Sequence, residues 1–160
     1  VRFAADDTEA MEAFGRELAS ELRAGDLVVL TGPLGAGKTT LTRGIGEGLG
    51  IRGPVQSPTF VLARTHPSLV GGAPLVHVDA YRLGTAAELE DVDLDFDHSV
   101  VVVEWGAGLL DGVAESWLDI VIARRVGGET PHDLDADEPR VLEVTGHGPR
   151  WAGTRFAATA

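Results

Sequence analysis

Gly32, Gly37, Lys38 and Thr39 are spaced in a way that suits a phosphate group. They stand at the fixed places of the pattern G-x-x-x-x-G-K-[ST], with Pro33, Leu34, Gly35 and Ala36 between them. Glycine lets the backbone fold tightly and turn its N–H groups inward, where an amide nest and the positive end of a following helix both attract an anion. Lys38 can then reach the outer phosphates as a point charge, and Thr39 can offer a hydroxyl to Mg²⁺. With 21 glycines in the chain, glycine matches alone say little, but of the 13 Lys and Arg residues Lys38 is the only lysine. A compact ammonium on a flexible stem stands where a phosphate needs it, in a sequence that uses the planar guanidinium everywhere else.

A divalent ion held only by a hydroxyl and phosphates is poorly fixed, so such a loop calls for an acid at the end of another strand. Two places have the required form of an apolar run closed by a carboxylate: Asp79 after residues 75–78 and Glu104 after residues 100–103. In an α/β sheet the carboxyl ends of parallel strands share the crevice that holds the loop, so both acids can converge there. Each also has a plainer reading, as a strand-terminal acid that caps a helix or meets solvent. His77, in the middle of its run, reads as a packed or hydrogen-bonded side chain rather than a ligand. The spacing of the five histidines does not suggest a metal site built from them.

The elements that must position these residues follow from periodicity. Asp6, Asp7 and Thr8 offer helix caps, and Met11, Phe14, Leu18 and Leu22 recur at helical spacing, so an amphipathic helix is expected to run to about Ala24 and Gly25. Residues 27–30 form a strand that feeds the phosphate loop. The helix after it carries Leu41, Ile45 and Leu49 and stops at Gly50. Gly44, Gly46 and Gly48 each weaken that helix by about 1 kcal/mol, and close packing against the sheet would account for them.

Further on, residues 60–63 read as a short strand, 66–74 as a turn or loop, and 75–79 as a strand. Thr85 to Glu88 has the form of a capping box, and residues 100–104 form a central strand buried on both faces. Residues 106–114 suggest a loop with a short helix. A strand at 117–123 and an antiparallel edge strand at 140–145 are joined by a long, acidic hairpin connection. Residues 1–146 therefore constitute one α/β domain with a P-loop NTPase-like mixed β-sheet flanked by helices. Residues 147–160 are expected to be a poorly ordered tail.

Composition narrows the function further. The length of 160 residues suggests a single domain, with little room for a second one for a substrate. Without cysteine there is no disulfide frame, thiolate zinc site or thiol nucleophile. No apolar run approaches the length of a membrane span and the N-terminus lacks a signal pattern, so the expected location is the cytoplasm. A net charge of -12 argues against strong nucleic-acid binding by the chain alone. Acidic runs at 88–97 and 133–138 read as solvated surface or as a docking face for a basic partner.

Taken together, several segments carry a resemblance to the bacterial TsaE (YjeE) family of small ATPases required for threonylcarbamoyladenosine modification of tRNA. They are Gly35, Ala36, Gly37, Lys38, Thr39 and Thr40 of the loop, Ser57, Pro58, Thr59 and Phe60, the run His77, Val78, Asp79, Ala80, Tyr81, Arg82 and Leu83, and Glu104 with Trp105. The resemblance implies ATP/ADP bound with Mg²⁺, and hydrolysis that is weak until the protein joins its partners TsaB and TsaD. Contact with tRNA would then be indirect, through the complex. It also implies roles: the loop carries the phosphates, Thr39 and Asp79 look like Mg²⁺ ligands, and Glu104 looks like the second acid near the metal. Residues 57–60 are similar to a switch segment in which Thr59 meets the terminal phosphate. Trp105 sits where the family places a tryptophan near the nucleotide, and Asp7 lines up with a region near its base end. Catalysis would then fall to Lys38, Asp79 and Glu104. The long acidic connection after Gly127 departs from the family pattern, as does a first residue that is not methionine.

Without the family, residues 57–59 are a turn before a strand, Trp105 is a core aromatic, and Arg82 either pairs with nearby acids or neutralises phosphate charge. Two other function classes fit a phosphate loop. A small-molecule kinase would need an acceptor pocket and a basic lid, for which Arg124 and Arg125 are the candidates. A nucleotide-gated binding module would hold ATP or ADP without useful turnover.

Overall fold

Apolar runs closed by a polar residue become buried strands when both faces can be covered, as at residues 75–79 and 100–104, and among the described residues these join five other strands in one sheet. The computed structural model describes residues 1–32, 37–51, 63–79, 97–104, 115–124 and 140–157. The elements are β1 (Arg2–Ala5), α1 (Thr8–Ala19), β2 (Leu27–Thr31), α2 (Lys38–Leu49), β3 (Ala63–His66), β4 (Leu75–Asp79), β5 (Val100–Glu104), β6 (Trp117–Arg124) and β7 (Arg140–His147). The strand order is β1-β7-β6-β2-β5-β4-β3. Four strands in the middle, β6, β2, β5 and β4, run parallel, while β3, β7 and β1 pair antiparallel at the two sides. This is the expected single-domain mixed α/β sheet with flanking helices, of P-loop NTPase-like type. Among the described residues, no helix is long and apolar enough to cross a membrane.

Both helices pack on one face of the sheet and share one core with it. Met11, Phe14 and Leu18 of α1 and Leu41 and Ile45 of α2 meet Val28, Leu30, Val100, Val102, Leu118 and Ile120 there. Asp7 caps α1 through its Oδ1, which accepts from the Ala10 N–H at 2.8 Å. The helix ends at Ala19, five residues short of the expected stop at Ala24. After it the N–H groups of Ser20, Glu21 and Leu22 bond carbonyls only three residues back, a tightened turn that still buries Leu22.

Two of the glycines of α2, Gly44 and Gly48, are explained by the neighbouring helix and not by the sheet. A Cβ on Gly44 would strike the Glu12 carbonyl of α1, and one on Gly48 would lie 2.8 Å from the Arg16 carbonyl. Gly15 of α1 returns the contact, since a Cβ there would sit 2.6 Å from the Leu41 carbonyl. The two backbones therefore touch directly.

Three strand expectations change. The sequence reading assigns no element to residues 2–5, yet they form β1 against β7, so β7 is an interior strand and not an edge. Its alternate residues Leu142 and Val144 are buried in the helix-side core. The strand expected at 60–63 is found at Ala63–His66, with 60–62 outside the described residues. The capping box at 85–88, the short helix within 106–114 and the acidic connection also lie outside them.

Within the expected tail, the described residues 147–157 are packed against the domain. Residues 149–151 form a single 3₁₀ turn, and Trp151 and Phe156 are buried in the core with their rings edge to face, 6.0 Å apart. Arg150 anchors this segment. Its Nε and Nη2 donate to the two oxygens of the buried Asp26 carboxylate at 2.9 and 3.1 Å, and Nη2 also donates to the Glu21 carbonyl at 2.8 Å. Among the described residues, removing Arg150 leaves Asp26 with only the Arg23 N–H, 2.8 Å away. Because a buried carboxylate without a counter-charge costs several kcal/mol and this arginine is partly solvated, Arg150→Met is expected to destabilise the fold by about 2 kcal/mol. Thermal unfolding should show a midpoint about 5 °C lower. An unchanged midpoint would contradict the anchor.

Candidate phosphate site at the carboxyl rim of the sheet

Parallel register brings the polar ends of three strands together. Asp79 pairs with Glu104 across β4 and β5, and Glu104 pairs with Leu30 across β5 and β2. Thr31 and Gly32 therefore continue one step beyond, toward the start of α2. Strand side chains alternate between faces, and Val100 and Val102 belong to the helix-side core, so Glu104 faces that side too.

The start of α2 leaves its positive end without a side-chain cap or an acid. Gly37 is the N-cap in a left-handed conformation with φ of 106°, which favours glycine, and it provides no side-chain cap for the first helical N–H groups. No acid stands in the first turn to take up the positive end of the helix dipole. Lys38 is the first helical residue and is buried, with its Nζ donating to the Gly32 carbonyl at 2.7 Å. That contact folds the ammonium back toward the strand end from which the loop departs. Thr39 and Thr40 are half-buried in the same turn, and Thr42 Oγ1 donates to the Lys38 carbonyl at 2.8 Å.

Glu104 is buried at 5% exposure, and Oε2 lies 3.0 Å from His77 Nε2. The expectation that His77 is hydrogen-bonded holds, but sequence reasoning did not name the partner. A signal was available: His77 has the parity of Leu75 and Asp79, so its ring points to the side on which Glu104 lies. Among the described residues, no group of three His, Cys, Asp or Glu side chains is arranged to hold a metal on its own.

The remaining site candidates divide in two. Asp7 serves as the α1 cap, and Met11, one turn further along α1, lies so close to the loop that a Cβ on Gly37 would be 3.2 Å from its Cε. Gly35, Ala36, Thr59 and Trp105 lie outside the described residues, as do Tyr81 and Arg82.

On β3, His66 is held below the usual histidine pKa, first by burial and then by the positive fields of His77 and Arg64. Protons then bind the unfolded chain more readily than the fold, so stability falls as pH drops through about 6.5. Asp119 acts at lower pH with the opposite sign, because burial raises its pKa against the influence of His147, so its contribution is gained as pH falls. Urea midpoints are expected to decline between about pH 7 and pH 5.5, and His66→Leu should flatten that decline. Equal slopes in both proteins would contradict this account.

Comparison with known proteins adds three findings. The family model for the threonylcarbamoyl adenosine biosynthesis protein TsaE matches residues 5–129, more than half of the chain. Similar relatives named tRNA threonylcarbamoyladenosine biosynthesis protein TsaE occur in Streptomyces coelicolor, 60% identical over 145 residues and covering 89% of this chain and 94% of the relative. Another occurs in Bacillus subtilis, 36% identical and covering 89% and 84%. The crystal structure of Bacillus subtilis YdiB superposes with a TM-score of 0.64 at 28% identity, covering 92% of this chain and 84% of that one.

Proposed function

Because the chain belongs to the TsaE family, we propose that it is a Mg²⁺-dependent ATPase of tRNA threonylcarbamoyladenosine biosynthesis, acting within a complex with TsaB and TsaD. The observation that carries this reading is the buried Lys38 at the start of α2, beside the rim where Glu104 and Asp79 stand in register. Lys38 and the first N–H groups of α2 bind the β- and γ-phosphates, where fixed positive charge stabilises the transferring group most. Gly35, Ala36 and Thr40 belong to the same cradle. Thr59 closes on the terminal phosphate, with Trp105 and the region of Asp7 nearer the rest of the nucleotide.

The donor set fits Mg²⁺, since Thr39, Asp79 and Glu104 are all oxygen donors and this ion takes few protein ligands while keeping waters and phosphate oxygens. When bound, the ion neutralises charge on the phosphate oxygens. Glu104 orients the attacking water and can accept its proton. The net charge of -12 favours contact with basic protein surfaces over direct contact with tRNA.

Phosphate release from Mg·ATP is the test, measured for the chain alone, with TsaB and TsaD, and with a panel of metabolite acceptors. Slow release alone and a rise of tenfold or more with both partners is the expected result, since groups supplied by another chain can raise such rates by about 10³ to 10⁵. A phosphorylated acceptor in place of free phosphate would identify a kinase. Tight ATP binding with no release under any condition would identify a passive nucleotide-gated module.

A further inference from the structure

His77 is wholly buried in an otherwise apolar stretch of β4, where Leu75, Val76 and Val78 surround it in sequence and Val102 is its register partner on β5. Its Nδ1 is buried and finds no hydrogen-bond partner among the described residues. An unpartnered buried nitrogen costs stability that a leucine of similar volume would not, so packing alone gives no reason for a histidine here. What the ring gains is one bond, from Nε2 to Glu104 Oε2 at 3.0 Å. An ionised carboxylate has only acceptor sites, so the imidazole is the donor, and Nε2 carries a proton in either charge state of the ring.

We propose that His77 is a positioning residue for hydrolysis, which holds the Glu104 carboxylate by Oε2. Oε1, which takes no hydrogen bond from the described residues, is thereby left as the oxygen that serves the attacking water or the metal shell. The geometry favours this division. His77 stands two pairs below the Asp79–Glu104 pair in the ladder, on the same face as Val102, so its donor approaches Glu104 from the core side of the sheet and not from the rim. A carboxylate held from beneath needs no reorientation when substrate arrives. The proposal rests on the reading of Glu104 as the acid beside the phosphate site.

The test is ATP hydrolysis by the full chain with TsaB and TsaD, comparing wild type with His77→Leu, His77→Gln and Glu104→Gln. Leucine fills the space but cannot donate, whereas the glutamine amide nitrogen can stand in for Nε2. His77→Leu is expected to lose about 10- to 100-fold in kcat, the range found when a supporting hydrogen bond behind a site carboxylate or ligand is removed. KM for ATP should stay within about twofold, because the phosphate contacts remain. His77→Gln should recover most of the loss, and His77→Leu should add nothing in the Glu104→Gln background.

Wild-type turnover by His77→Leu beside an inactive Glu104→Gln would overturn the positioning role and leave the phosphate-site reading standing. A loss that His77→Gln does not repair, in a protein with wild-type thermal unfolding, would overturn it too. Full activity of Glu104→Gln would overturn the role of Glu104 itself. Long-range ¹H–¹⁵N spectra of the wild type give a readout independent of any variant: a ring proton on Nε2 supports the bond, and a proton on Nδ1 alone excludes it.

Discussion

Lys38→Ala is expected to keep its fold and to hydrolyse ATP at least about 10²- to 10³-fold more slowly than wild type, a loss of about 3 to 4 kcal/mol of transition-state stabilisation. The ammonium is buried at the first residue of α2 and bonded to the Gly32 carbonyl, so it is close to the proposed anion site before any phosphate arrives. Losing that bond removes about 1 kcal/mol of stability, too little to unfold a domain of this size. The catalytic effect therefore dominates. Lys38→Arg should not restore the rate, because a planar fork cannot occupy the space of a compact ammonium. Phosphate release in the presence of TsaB and TsaD, with circular dichroism as the control for folding, checks both variants. Turnover near wild type in Lys38→Ala would remove the phosphate loop from the mechanism.

The second large effect concerns stability. Replacing Gly44 by valine should lower the thermal midpoint by about 10 °C, and Gly44→Ala should also destabilise although alanine is the better helix former. Two terms compete. Helix propensity favours alanine by about 1 kcal/mol. Against it, the new Cβ meets the Glu12 carbonyl of α1, a backbone atom that cannot swing aside, and overpacking of this kind costs about 1–3 kcal/mol or more. Separating the helices also loosens Met11, Phe14, Leu41 and Ile45, which pack in the core they share with the sheet. Valine adds further volume and should cost about 3 kcal/mol, which corresponds to the stated shift for a chain of this length. Exposed Gly72 provides the control, since a Cβ there meets nothing closer than Ser68 Oγ at 3.6 Å. Gly72→Ala should stay within about 0.5 kcal/mol of wild type. If Gly44→Val matched that control, the direct helix contact would be wrong.

The parts of this fold legible in sequence are those where local chemistry and tertiary demand agree. β4 and β5 have the expected bounds because each is an apolar run closed by an acid, and the buried parallel strands of the sheet need that continuous apolarity. Gly37 and Gly50 mark the two ends of α2, as their left-handed conformations require.

What was not legible depends on partners distant in sequence. Residues 2–5 become a strand only because β7 presents an open ladder to them. Trp151 and Phe156 lie among small residues with no periodicity, and their burial is fixed by Arg150 reaching back to Asp26. Gly44 and Gly48 signalled a close approach, but only the folded chain shows that the surface approached is α1. At the site, Lys38 and the strand-end acids were read from spacing, whereas the His77–Glu104 bond needed the β4–β5 register to become visible.

The central claim is that one anionic cradle, made by Lys38, the start of α2 and the acids of β4 and β5, receives the nucleotide phosphates. A crystal structure of the chain with Mg²⁺ and a non-hydrolysable ATP analogue at saturating concentration tests it most directly. The account predicts Lys38 Nζ turned from the Gly32 carbonyl to a phosphate oxygen, with the ion between Thr39, the phosphates and the Asp79–Glu104 rim. Phosphates bound elsewhere, with the segment before α2 empty and Lys38 still on Gly32, would contradict it.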